Sequence, residues 1–384
     1  MLDRALVAQK ITKITPFLFS EHAAFSFITK DFLKRLVGCP GFKEQVQSQQ
    51  REKHLATWTG ELSDVMSSSH APSSYTVCAV DGSQIYPDHH LSGAECCLVN
   101  AAGCCLHYGS PSSATFFSEP HIYVPAQCEA QQLAYAADTV DLLREEHEFD
   151  LLAHKVRERA GGPCGSTSLV ALFDGNLLFW HLEEKSAAVR KRFLGRYCAS
   201  LQDLYHHQVP VAGYLSMPRF RDLAYIMQVG ITAPDVEHLL PPEQVYVVRQ
   251  KITTLTDREL LAFVLDAGER TIIFQSTSAV TELYPVPLRP CFFYFNSGSE
   301  IVRIEVPAWV AQDATLVDRV CAVCSDQCVK GNGYPVALAE AHAQAVVKSV
   351  DRDFFYNYIY KIAITQRQRV VMSQKSLKKR VLGV

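Results

Sequence analysis

Ala79-Val80-Asp81-Gly82-Ser83 and Leu172-Phe173-Asp174-Gly175-Asn176 close two apolar runs in the same way. Tyr75–Val80 is a short β-rich stretch and Leu169–Phe173 is wholly apolar, so each reads as a buried strand. An aspartate leaving a buried strand reaches the sheet's edge, where water keeps it ionised. The glycine behind it permits a tight turn and lets a second backbone or a phosphate come close. If the two strands are neighbours, the carboxylates converge, and paired hard oxygen donors suit magnesium or manganese. Two such ions about 3.5–4 Å apart activate water and stabilise the leaving oxygen in phosphodiester cleavage. Taken singly, either Asp-Gly is in most chains no more than a turn.

Outward from this pair, residues 1 to about 70 read as helical, without strand-like alternation: Phe25, Phe27, Ile28, Phe32, Leu33 and Leu36 recur at roughly helical spacing. Ser67–Ser74, with Pro72 among its serines, is a loop. Between the two aspartates, Cys96–Asn100 and Gly103–Tyr108 suggest a hairpin turning at Ala101-Ala102. A long helix is expected from about Ala126 to Arg159, because Leu133, Ala136, Val140, Leu143 and His147 keep a 3.6-residue period, with a loop over Gly161–Ser168. After Asp174 come helical sequence to about His206, a buried strand at Val209–Leu215, and strands at Thr271–Gln275, Cys291–Asn296 and Ile301–Val306. Pro335 opens a helix with an apolar stripe of Val336, Leu338, Ala341, Ala345 and Val346, and a last helical stretch ends in a basic tail. This order is that of an α/β sheet domain with antiparallel and parallel pairs. The expected parts are an N-terminal helical region (1–70), the core (71–350), and a C-terminal helix with its tail (351–384).

Composition narrows the function class. Apolar residues make up 48% and charged residues 20%, as in a soluble globular protein. No apolar run approaches the roughly 18 residues that span a bilayer. Asp3, Arg4, Lys10 and Lys13 interrupt the N-terminus, unlike a secretory signal, so a cytoplasmic chain is expected. A net charge of −3 argues against coating nucleic acid by charge alone; any such contact needs a local basic patch. Two patches qualify. Arg219 and Arg221 flank Phe220 just beyond a strand, where arginine and an aromatic ring can grip a phosphate and stack an unpaired base. The tail carries Arg367, Arg369, Lys375, Lys378, Lys379 and Arg380, and the alternatives there are a solvated tail or a docking surface for another protein. The sequence holds no GxxxxGK[ST], so ATP binding through a P-loop is not expected, and it holds no HExxH or GxSxG pattern.

Further candidates lie around the aspartates. The long helix carries Asp141, Glu145, Glu146, Glu148 and Asp150. Most of these should face solvent, but one could point over the sheet edge as a third carboxylate; Glu148 shares a face with Arg144, four residues before it. Gly333-Tyr334-Pro335 precedes His342 by two helical turns, and the small neighbours Ala341 and Ala343 would let this histidine reach a metal or phosphate, although a lone histidine there is more often simply packed.

In their order and spacing, the AVDGS and LFDGNLL strand ends and GYP followed by AH resemble the signature blocks of the NurA nuclease family. Val211–Pro218, Asp257-Arg258, Gly268–Thr271, Phe292–Tyr294 and Arg303–Trp309 are similar to blocks of its bacterial branch, so the likeness covers about Tyr75 to Val350. The resemblance implies a ribonuclease-H-like mixed sheet flanked by helices, related to the Piwi nuclease domain. It implies manganese-dependent exonuclease and single-strand endonuclease activity on DNA, with magnesium as a possible substitute. It also implies a homodimer and a HerA-type hexameric ATPase as partner in end resection and repair. Carried over by motif, Asp81 and Asp174 would be metal ligands, and Tyr334 and His342 would support metal or phosphate. The family's helix glutamate maps onto Glu148 by its Arg-x-x-x-Glu context, with Glu145 as runner-up. Asn176 stands where the family often has serine.

Two other classes compete. The chain could keep the fold as a catalytically inactive DNA-binding or scaffold protein; the presence of every acidic position favours the enzyme. It could instead bind metal through Cys321, Cys324 and Cys328, but a closed zinc site needs a fourth ligand and none stands at a convincing spacing. The remaining cysteines, including Cys96-Cys97 and Cys104-Cys105, read as small buried hydrophobes of a reducing compartment.

Overall fold

The two Asp-Gly runs are neighbours in space: Thr76–Val80 pairs in parallel with Leu169–Phe173, residue for residue. The computed structural model describes residues 2–18, 30–50, 55–88, 91–161, 169–238, 250 and 252–372. Its strands in chain order are β1 (Thr57–Trp58), β2 (Val65–Ser67), β3 (Tyr75–Ile85), β4 (Leu91–Ser92), β5 (Cys97–Tyr108), β6 (Ser113–Tyr123), β7 (Leu169–Phe173), β8 (Val211–Leu215), β9 (Glu269–Thr271), β10 (Phe274–Gln275), β11 (Pro290–Asn296), β12 (Ile301–Pro307) and β13 (Val371–Met372). Eleven of them form one sheet in the order β1-β10-β11-β12-β8-β7-β3-β5-β6, with β9 beside β11 and β2 beside β9. In its main half, β5 is antiparallel to β3 and β6, while β3, β7 and β8 run parallel. Numbered by chain position, those five strands stand 3-2-1-4-5 across the sheet. This is the mixed, ribonuclease-H-like sheet that the resemblance implied.

The helices are α1 (Arg4–Leu18), α2 (Lys30–Val37), α3 (Pro40–Gln49), α4 (Pro125–Ala130), α5 (Ala137–Ala160), α6 (Ala187–His206), α7 (Asp222–Gly230), α8 (Asp257–Leu261), α9 (Ala308–Ala311), α10 (Ala314–Lys330), α11 (Val336–Ala345) and α12 (Ser349–Thr365). The centre of the sheet is covered on both faces, which is why all five residues of β7 are buried. One face is covered by α5, through Val140, Leu143, Phe149, Leu152 and Val156. The other is covered by α11, whose buried Ala337, Ala341 and Ala345 allow close approach to β3 and β5. A second core joins Leu36, Phe42 and Val46 of the N-terminal helices to Ile226, Leu260 and Phe292. Among the described residues, no helix is long and apolar enough to cross a membrane.

Four expectations need correction. Cys97–Tyr108 is one strand and not a hairpin. Ala101-Ala102 lacks the residues a two-residue turn requires, and β5 instead pairs along its whole length with β3 and with β6. The long helix is broken: α4 ends at Ala130 and α5 starts at Ala137, with Gln132 at φ 58° between them. The region before residue 70 is not purely helical, because β1 and β2 join the main sheet through β10 and β9. Not every cysteine is a free thiol: Cys78 and Cys105, directly opposed on β3 and β5, form a disulfide with Cα atoms 4.1 Å apart. The expected loop after Gly161 lies at 162–168, outside the described residues.

Candidate active site

Pairing of β3 with β7 stops at Val80 and Phe173, whereas pairing of β3 with β5 runs on to Ile85 and Leu98. Asp81 therefore does not leave its strand as expected. It sits where β3 outruns β7, and the exposed flank of β3 with the chain leaving β7 at Asp174 makes a notch. Strand alternation sends Val80 and Gly82 to the α5 face and Asp81 and Ser83 to the α11 face. Helices on both faces can thus deliver side chains to one place.

From the α11 face comes His342, whose Nδ1 lies 2.7 Å from Asp81 Oδ2 and whose side chain is 66% exposed. The second oxygen, Asp81 Oδ1, accepts the Gly82 N–H at 2.7 Å. Asp174 Oδ2 accepts the Tyr334 hydroxyl at 2.9 Å, and the Tyr334 ring packs edge-on against Tyr214. From the α5 face comes Glu148, paired through Oε1 with Arg144 at 2.5 Å. A Cβ on Gly82 would collide with the Glu148 carboxylate and come within 2.7 Å of Arg144 Cγ. The glycine after Asp81 is thus required by the approach of Glu148, one residue from the aspartate.

Two residues not singled out by the sequence hold α11 in place. Ser83 Oγ donates to the Ala345 carbonyl at 2.5 Å and accepts the Val347 N–H at 3.1 Å, while Asn100 Nδ2 donates to the same carbonyl at 2.9 Å. These bonds end the helix one turn beyond His342. Ser83 sits inside the AVDGS run; Asn100, across the β3–β5 pair from it, carries no local signal.

Charge is concentrated here. Glu148 is 2% exposed, and burial, reinforced by the Asp81 and Glu145 charges and opposed by Arg144, pushes its pKa up to about 8. The Asp174 residue is open to water on one side, yet the protein packed around its carboxyl raises its pKa; Tyr334 and His342 oppose the shift and Asp81 adds to it. Burial works against the charge of Arg144, but Glu148, Glu145, Asp81 and Asp141 outweigh it and raise its pKa. Asp81, within β3, therefore acts electrostatically on both Glu148 of α5 and Asp174 at the end of β7.

Glu145, the runner-up, turns elsewhere: its Oε2 accepts the Tyr197 hydroxyl at 3.1 Å and lies 3.0 Å from His181 Nε2. Among the described residues no three acidic, histidine or cysteine side chains stand as a ready-made metal cage. The candidate donors are instead paired internally: His342 with Asp81, Tyr334 with Asp174, and Arg144 with Glu148. Their chemistry still fits a hard divalent cation. They are oxygen donors and one imidazole, and burial shifts two of the carboxylates toward the neutral form.

The basic patches divide. Arg219 is exposed, but Arg221 donates to the Leu255 carbonyl at 3.0 Å and the Ile252 carbonyl at 3.2 Å. Phe220 lies under the Arg303 guanidinium, 4.1 Å from ring centre to carbon, so it is committed inside the fold and not free to stack a base. Lys375, Lys378, Lys379 and Arg380 lie outside the described residues. Cys321, Cys324 and Cys328 are buried on α10, and burial raises their thiol pKa values, that of Cys321 to about 12. Cys328 Sγ contacts the Tyr214 hydroxyl at 3.4 Å.

No curated protein matches this sequence. Among solved structures, the NurA nuclease from Sulfolobus solfataricus is similar over 95% of this chain and 98% of its own, at 14% identity and a TM-score of 0.52. Two further NurA crystal structures align less closely: one with manganese (13% identity, 92% of this chain and 98% of its own, TM-score 0.37), and one with dAMP and manganese (13%, 86% and 95%, TM-score 0.35). The sequence profile of the NurA domain matches residues 75–347, which contain both Asp-Gly strand ends, the acidic helix, Tyr334 and His342. The chain belongs to the NurA domain family.

Proposed function

We propose that the chain is a metal-dependent DNA nuclease with Asp81, Glu148, Asp174 and His342 as metal ligands and Tyr334 in support. The observation that carries this reading is that the Glu148 carboxylate of α5 packs against Gly82, next to Asp81 of β3, and that the Asp81 charge acts on both Glu148 and Asp174 at the end of β7. Manganese is the assigned ion, with magnesium as a substitute, because the donors are mostly hard oxygens with one imidazole. A bound ion of this kind supplies Lewis acidity and a water of lowered pKa for phosphodiester hydrolysis. The chain's own residues do the positioning. Asp81 orients the His342 ring through Nδ1, and Tyr334 fixes one oxygen of Asp174 by donating to it. In this reading Arg144 is the cation that neutralises Glu148 when no metal is bound. Arg219 is the described basic residue assigned to a phosphate of the strand; Lys378, Lys379 and Arg380 extend that assignment to the tail.

The finer reading follows the family. The activity is exonucleolytic, with endonuclease activity on single strands, in DNA end resection and repair. The chain works in the cytoplasm as a homodimer beside a HerA-type hexameric ATPase. Val350, Phe354, Tyr358 and Ile362 recur every four residues on α12 with exposed side chains, an apolar stripe suited to a protein partner.

Digestion of end-labelled DNA with manganese, with magnesium and with a chelator tests the activity. Metal-dependent release of labelled nucleotides is expected. DNA binding without cleavage under all three conditions would leave the scaffold reading instead.

A further inference from the structure

The chain that leaves Asp174 is buried within three residues and has no strand to pair with: Leu177, Leu178 and Phe179 are each at most 2% exposed. Backbone groups in such a segment must find other partners. Two buried side chains supply them. Glu305 Oε2 accepts the Leu177 N–H at 2.8 Å and the Leu178 N–H at 3.1 Å. The Tyr284 hydroxyl donates to the Leu177 carbonyl at 2.8 Å and accepts the Phe179 N–H at 3.1 Å.

Both anchors are themselves held. Glu305 is 1% exposed and its other oxygen accepts Arg303 Nε at 2.9 Å; Arg303 is clamped by Asp222 at 2.8 Å. In register, Phe173, Gly213 and Glu305 lie side by side on β7, β8 and β12, so the segment crosses β8 to reach its anchor. The crossing occurs at Gly213, where a Cβ would run into the Gly175 carbonyl and come within 3.3 Å of Leu177 Cγ.

We propose that Glu305 and Tyr284 are positioning residues for Asp174: they fix the backbone on its C-terminal side while Tyr334 fixes its carboxylate. The inference rests on the metal-site reading above. Residues that orient a metal ligand typically change metal affinity by about 10- to 100-fold when altered, a range wide enough to measure.

The test is manganese binding, followed by calorimetry on the full chain, with folding checked by circular dichroism. Tyr284→Phe removes only the hydroxyl and should weaken manganese binding about 10-fold. Glu305→Gln, whose amide must present its donor group to Arg303 or to the two backbone N–H groups, should do the same. Val46→Ala in the second core serves as control; it should lower the melting temperature and leave manganese affinity unchanged. If the anchors only support the fold, both variants will behave like the control, and the inference is overturned. If wild type takes up no manganese, the metal-site reading falls first and the inference with it. A measurement on wild type alone covers variants that fail to fold. Coupling is reciprocal, so manganese should slow hydrogen exchange at Leu177, Leu178 and Phe179 more than at α12 amides. Equal exchange with and without bound manganese would overturn the proposal.

Discussion

His342 and Asp81, 261 residues apart in the chain, are joined by a 2.7 Å contact between Nδ1 and Oδ2 across the α11 face of the sheet. Strand and helix are latched one turn further on, where Ser83 and Asn100 hold the Ala345 carbonyl. Position and orientation of the imidazole are therefore set by β3, which carries the aspartate, with its neighbour β5.

Replacing either strand-end aspartate separates the chemistry from the fold. Asp81→Asn and Asp174→Asn should each lower metal-dependent DNA cleavage at least about 100-fold, the upper end of what loss of a supporting residue costs at a metal site. Asparagine keeps an acceptor for the Gly82 N–H and for the Tyr334 hydroxyl. It also removes like-charge repulsion, since Asp81 raises the pKa values of both Glu148 and Asp174. The melting temperature in a chelator should thus equal or exceed that of wild type. Retained cleavage in either variant would take that aspartate out of the mechanism.

The helix glutamates should rank clearly. Glu148→Gln is expected to remove most of the cleavage, because its carboxylate packs against Gly82 beside Asp81. Glu145→Gln should leave cleavage largely intact and reduce stability by about 1 kcal/mol, the usual worth of a hydrogen bond, since Glu145 serves Tyr197 and His181. A nuclease assay beside a thermal melt checks both; the opposite ranking would mean the wrong face of α5 has been assigned.

Asp257 gives a pH signature away from the notch. It is fully buried, accepts the Leu223 and Ala224 N–H groups and the Tyr294 hydroxyl, and its pKa is pushed up to about 7 by burial and by Asp222. The folded chain therefore holds a proton that the unfolded chain has lost between about pH 4 and 7. Stability from this group is greatest below that window and falls as pH rises through it, by up to about 1.4 kcal/mol per pH unit. Denaturant melts from pH 4 to 8 should show the slope, and Asp257→Asn should flatten it even though the variant is less stable throughout. A slope identical to wild type would assign the pH dependence to other groups.

For DNA binding, the two arginines after β8 should part company. Arg219→Ala is expected to reduce the salt dependence of affinity by about one unit of slope, one phosphate contact. Arg221→Ala should leave the slope alone and destabilise the fold, because its guanidinium holds the Leu255 and Ile252 carbonyls. Removing the residues after Ser373 should weaken binding and flatten the slope without changing manganese affinity. Filter binding across a salt series separates these outcomes; an unchanged slope in the truncated chain would give the tail to partner docking.

Local chemistry carried the reading wherever a contact lies within one element. Leu169–Phe173 is apolar throughout because both faces of β7 are covered, and that pattern stands in the sequence itself. The same holds for the Asp-Gly ends, for Pro335 before α11, and for the pairing of Arg144 with Glu148 at four residues' spacing. Ala101-Ala102 misled because a small apolar pair bears no local mark of turn or strand; pairing with β3 and β6 on either side made it strand. Arg221 and Phe220 misled for a related reason, since their partners lie tens of residues further along the chain.

The sequence by itself determined that two buried strands lead into Asp-Gly, that an acidic helix lies between them, and that a histidine follows within a later helix. Only the tertiary structure decided that β3 outruns β7 to open a notch, that Glu148 and not Glu145 reaches it, and that Ser83, Asn100, Glu305 and Tyr284 hold the pieces. The physical reason is rotation. A helix turns about 100° per residue, so the identity of the side chain that faces a site depends on how the whole helix is seated. That seating is the sum of many packed contacts between distant segments, and no stretch of sequence contains them.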